Sequence, residues 1–120
     1  MSIQKNSDIT AIEGSEGTKI KQYFDPLNTL NQIRFSLAEF TIKPGKKSLL
    51  HKLKGSEIYY ILEGDGILQV NDDSFTVKKD DSVYVPASSK QCIENTGKTN
   101  LRFLCIVDPA WKSEDEVILE

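Results

Sequence analysis

Apolar and polar residues alternate along this chain in short runs that turn residues keep interrupting. Thr18 to Phe24, Glu57 to Leu62, Ile67 to Val70, Phe75 to Val77, Ser82 to Val85, Gln91 to Glu94 and Asn100 to Val107 each carry β-branched or aromatic residues at the two-residue period of a strand. Ser48 to Leu53 reads as a further short strand. Gln32 to Ile42 is long enough for a helix, but its Ile, Phe and Thr content makes it a strand. In that run Ile33, Phe35, Leu37, Glu39 and Thr41 share one face, and Arg34, Ser36, Ala38, Phe40 and Ile42 share the other.

The breaks between runs are turn chemistry. Glu13 to Gly17, Asp25 to Asn28, Lys43 to Lys47, Lys54 to Ser56, Asn71 to Asp73, Lys78 to Asp81 and Asn95 to Lys98 are rich in Gly, Pro, Asn and Asp. Glu63 to Gly66 predicts a hairpin turn, with Ile67 to Val70 as the return strand. Strands this short, spaced by about 8–12 residues, predict a sandwich or barrel rather than a parallel sheet. Near the C-terminus, Ser113 followed by Glu116 has the spacing of a capping box, on a segment too short to hold a helix alone. The polar residues 1–12 are expected to form a flexible N-terminus, leaving 13–120 as one domain.

Composition narrows the partners. A net charge of −3 leaves no basic footprint for nucleic acid. No apolar run approaches the ~18 residues of a membrane span, and the N-terminus lacks the basic and apolar regions of a secretory signal, so the expected location is the cytoplasm. Cys92 and Cys105 both lie in strand-like runs without metal-ligand spacing and are expected as small hydrophobes, not a disulfide.

Candidate chemistry concentrates between Gly45 and Gly64. The single histidine, His51, is followed six residues later by Glu57. If Leu50 to Leu53 is a strand, His51 and Leu53 point to one face, and a hairpin through Lys54 to Ser56 would bring Glu57 near His51. An imidazole beside a carboxylate can bind a metal, or work as an acid–base pair. Tyr59 shares a face with Glu57. Tyr59, Tyr84, Phe40 and Phe103 are candidates for either core or pocket wall, and Trp111 for a lid over a barrel end or an interface anchor. Lys46, Lys47, Lys52 and Lys54 form a local basic cluster, read as a solvated face, with attraction of an anionic ligand as the alternative.

Gly45, His51, Glu57 and Gly64 stand at the spacing of the first motif of the cupin family, which the chain resembles. Asp81, Val83, Val85, Pro86 and Asn95 resemble the second motif, and Asp108 to Trp111 the turn that closes similar small cupins. The resemblance implies an all-β double-stranded β-helix, a jelly-roll-like barrel with a pocket inside one end, and a homodimer. Family members hold manganese, iron, nickel or zinc with three histidines and one glutamate. Here those positions are His51, Leu53, Glu57 and Gln91, so only two keep their ligand type. The glycine before Asp81 is Asp80. The resemblance therefore implies a small polar metabolite, sugar-like or acid-like, bound by His51, Glu57, Gln91, Leu53 and Tyr59, with metal absent or weakly held by His51, Glu57 and Gln91. The alternatives are a metal-dependent enzyme of dioxygenase or isomerase type using the same residues, and a non-catalytic assembly or regulatory module.

Overall fold

The computed structural model describes residues 3–29 and 33–120. A 3₁₀ turn at Asn6–Asp8 precedes eleven strands: β1 (Ile12–Glu13), β2 (Thr18–Phe24), β3 (Ser36–Ile42), β4 (His51–Leu53), β5 (Ser56–Glu63), β6 (Asp65–Val70), β7 (Asp73–Lys78), β8 (Ser82–Val85), β9 (Lys90–Asn95), β10 (Leu101–Asp108) and β11 (Glu116–Ile118). They form a six-stranded sheet in the order β1-β2-β3-β10-β5-β8 and a five-stranded sheet in the order β11-β4-β9-β6-β7. Among the described residues no helix is long and apolar enough to cross a membrane.

The pairing is nested. β6 meets β7 across a tight turn; outside them β5 meets β8, β4 meets β9, and β3 meets β10, all antiparallel. One long hairpin is thus rolled up, with successive pairs falling alternately in the two sheets. This is the double-stranded β-helix expected from the sequence.

The rolling corrects two local expectations. Glu63 to Gly66 is not a hairpin turn, because β5 and β6 lie in different sheets; the segment is a corner between them. Gly64 makes it possible. Its φ is +91°, and a Cβ there would stand 2.6 Å from the carbonyl oxygen of Asn100. Likewise β4 and β5 are not a hairpin but belong to opposite sheets.

Strand limits also shift. Of the expected Gln32–Ile42 strand, the ladder covers Ser36–Ile42; Gln32 lies outside the described residues. Of Ser48–Leu53, only His51–Leu53 pairs as a strand. The C-terminal segment is a 3₁₀ turn at Ser113–Asp115 followed by β11, not a capped helix.

The core fills the space between the sheets. Ile42, Ile61, Leu68, Ile93, Leu101 and Phe103 are essentially inaccessible. Phe103 stacks on Phe40 with centroids 5.4 Å apart and on Tyr59 at 5.3 Å. In β3 the inward face is Ser36, Ala38, Phe40 and Ile42, leaving Phe35 half exposed. The outer face of the six-stranded sheet keeps an apolar row, Leu37–Ile106–Ile58–Tyr84, in register across β3, β10, β5 and β8. Tyr84, 63% exposed, is the one of the four candidate aromatics that faces out.

Asp80 sits where the family motif carries glycine, and its φ is +72°. The turn is closed by the Asp81 N–H donating to Lys78 O, so Asp80 occupies the third position of a turn that favours glycine. Asp80→Gly is expected to stabilise the fold by up to about 1 kcal/mol, net of the exposed bond that Asp80 Oδ1 accepts from the Tyr60 hydroxyl at 3.2 Å, and so to raise the denaturation midpoint. An unchanged or lowered midpoint would show that the strain at this turn is no larger than what the Tyr60 bond contributes.

Candidate functional site

A cavity of about 420 Å³ opens inside the barrel, within the range of small-ligand sites. β2, β3, β5 and β10 supply one wall, and β4, β9 and β11 the other. The cross-strand row Gln22–Ala38–Cys105–Tyr59 faces inward from the six-stranded sheet. From the five-stranded sheet His51 and Leu53 face the same space, each with a partner on β11 directly opposite: Ile118 beside His51 and Glu116 beside Leu53.

Glu57 is the chemical centre of this space. It lines the cavity at 5% exposure, and its Oε1 has no hydrogen-bond partner. Burial pushes its pKa from 4.5 up to about 7; the Cys105 thiol and the Gln91 amide pull it down, and the Glu116 carboxylate pushes it further up. The same burial, with Glu57 alongside, holds the Tyr59 hydroxyl and the Cys105 thiol protonated well above their usual ranges.

His51 is half-buried on the opposite wall. Its Nδ1 is 2.8 Å from Leu49 O. A carbonyl only accepts, so Nδ1 carries the hydrogen, and in the neutral ring Nε2 is left as an acceptor. Gln91 is directly opposite His51 in the ladder but is not part of the cavity wall. It is 1% exposed, and its Oε1 accepts from the Tyr59 hydroxyl at 2.5 Å, tying the five-stranded sheet to the six-stranded one. The amide oxygen expected as a ligand is therefore already engaged.

His51, Leu53, Glu57 and Tyr59 do line one cavity, with Phe40, Phe103 and Trp111. None of Lys46, Lys47, Lys52 and Lys54 lines it. Glu116 was not legible as a site residue: its only sequence signal was a helix-capping spacing, and its inward direction comes from the pairing of β11 with β4. Cys105 also lines the cavity, whereas Cys92 is half-buried on the other sheet with its Sγ donating to Gln69 Oε1; both are free thiols.

The donor set does not fit a resident transition metal. Of the four family positions, Leu53 is hydrocarbon, Gln91 is bonded to Tyr59, and one imidazole and one carboxylate remain. Among the described residues no three His, Cys, Asp or Glu side chains converge on a point. Two donors give a divalent ion little hold.

A family model described as the cupin domain matches residues 38–107, more than half of the chain. The chain belongs to the cupin family. This cupin is 41% identical over 106 residues to an uncharacterized protein of Methanocaldococcus jannaschii, a match that takes 88% of this chain and 84% of that one. It is 38% identical over 71 residues to the oxalate-binding protein of Thermotoga maritima, covering 58% of this chain and 59% of that protein. Among solved structures, the cupin superposes on a predicted oxalate decarboxylase from Thermotoga maritima with a TM-score of 0.78, at 28% identity, covering 90% of this chain and 99% of that one.

Proposed function

We propose that this cupin binds a small organic molecule inside the barrel, against Glu57 and without a resident metal. The observation that carries the reading is the unpartnered Glu57 Oε1, buried in the wall of a largely apolar cavity. A buried polar atom without a partner costs about 1–3 kcal/mol, and a ligand group that bonds to it recovers that cost. The relative's name, an oxalate-binding protein, supports a small ligand in this place. The metal-dependent enzyme reading has no support in the donor set. The homodimer implied by the resemblance draws support from the apolar row Leu37–Ile106–Ile58–Tyr84 on the outer sheet face.

The test is thermal unfolding of the purified protein across a broad panel of small neutral, cationic and anionic metabolites. A ligand present at 100 times its Kd stabilises the native state by about 2.7 kcal/mol. At least one compound should raise the melting temperature, and Ala38→Phe, which fills the cavity from β3, should abolish the response. A panel that moves nothing would remove the binding reading and leave the barrel as an assembly module.

A further inference from the structure

We propose that the ligand of this cavity is a small organic ammonium ion with an apolar body, its N–H groups donated to Glu57 Oε1. The inference rests on the binding reading above and names the ligand's chemical class.

The first argument is hydrogen bonding. Two buried side-chain atoms among the described residues lack partners, Glu57 Oε1 and Gln22 Oε1, and both residues line the cavity. Gln22 Oε1 only accepts, and Glu57 Oε1 does so in the ionised carboxylate, the form that a cation beside it favours. His51 Nδ1 points its hydrogen at Leu49 O, so whenever the ring is neutral its Nε2 is a further acceptor. The Tyr59 hydroxyl hydrogen is already committed to Gln91. A ligand that satisfies this set must bring donors, and an ammonium group brings up to three.

The second argument is charge. Asp25, Glu57 and Glu116 line the cavity, and no Lys or Arg does so among the described residues. Asp25 Oδ1 accepts from the N–H groups of Leu27 and Asn28, which fixes it in its own turn and leaves its charge acting on the cavity. A metal-free dicarboxylate would meet three carboxyl groups with no Lys or Arg to balance them. The third argument is the walls. Phe40, Phe103 and Tyr59 form a continuous stack, and Trp111 adds a fourth ring. This apolar wall suits a hydrocarbon body, whereas most hydroxyls of a sugar would be left facing it without partners.

Calorimetric titration with three compounds that share one ring and differ in the head group tests this: cyclohexylammonium, cyclohexanol and cyclohexanecarboxylate. The ammonium should bind at least tenfold more tightly than the alcohol, and the carboxylate not measurably. Glu57→Gln should cost the ammonium at least tenfold while leaving the alcohol nearly unchanged. Glu116→Gln, at a half-buried site, should give a smaller loss in the same direction, and it serves if Glu57→Gln fails to fold. Equal or tighter binding of the alcohol or the carboxylate would overturn the inference while the cavity reading stands, as would an ammonium affinity indifferent to both substitutions. If none of the three binds but the metabolite panel yields a ligand without an ammonium group, the ammonium class is wrong and the cavity reading holds; a panel ligand that carries one keeps the class and rejects only the cyclohexyl body. Silence in both experiments removes both.

Discussion

Glu57→Gln should make the protein more stable at pH 8, by about 3 kcal/mol, or roughly 10 °C in melting temperature for a domain of this size. The reason is linkage. Burial raises the Glu57 pKa from 4.5 to about 7 in the folded state, so between those values the native chain holds a proton that the unfolded chain has released. Stability contributed by the protonated acid is complete below about pH 4.5 and is lost as pH rises toward 7. The amide copies the shape of the protonated acid and cannot ionise. The parent should lose stability across that window relative to the variant, and the two should converge near pH 4. Urea unfolding of both proteins at several pH values reads the difference directly and cancels the other titrating groups. Parallel pH profiles, or a variant less stable at pH 8, would mean that the carboxyl is solvated in the native state.

The second large effect is expected at Asn95, which acts on the fold and not on the cavity. Its Nδ2 donates to Ile42 O at 2.9 Å and to Thr99 O at 2.8 Å, and its Oδ1 accepts from Gly97 N at 2.9 Å. The residue is 1% exposed. One side chain therefore fastens the end of β3 to the turn between β9 and β10. Asn95→Ala strands the Ile42 carbonyl at a buried bond and removes the part-buried bonds to Thr99 O and Gly97 N, at a cost of about 2–3 kcal/mol. Asn95→Asp should be no better, because it sets a carboxylate against two carbonyl oxygens. A loss below about 1 kcal/mol in denaturant unfolding would show that the corner is held by its backbone bonds alone.

The family motif made the barrel legible, and the reason is physical. Gly64 stands in the motif because only a residue without Cβ can turn the chain between sheets so close to Asn100. Asn95 stands there because of the three bonds just described. The same segment also misled. Glu63 to Gly66 has the composition of a hairpin turn, and nothing local says whether the flanking strands pair with each other or part. That is decided by β10 and β9, which each strand meets far along the chain. The site was half legible for a similar reason. His51 and Glu57 follow from the motif, but Glu116 enters only because a three-residue strand pairs with β4. The binding of Gln91 to Tyr59 depends on two sheets meeting across the core, which residue spacing does not encode.

That inter-sheet tie bears on anyone who would retrofit the barrel with a metal. Restoring imidazoles at positions 53 and 91 looks like two substitutions, but Gln91→His takes away the acceptor of the Tyr59 phenol, which sits 2% exposed against Phe103. The phenol would then need a new acceptor or a change to phenylalanine. What occupies the fourth ligand position here is a structural rivet, and converting this barrel to a metalloprotein means re-engineering the joint between its two halves.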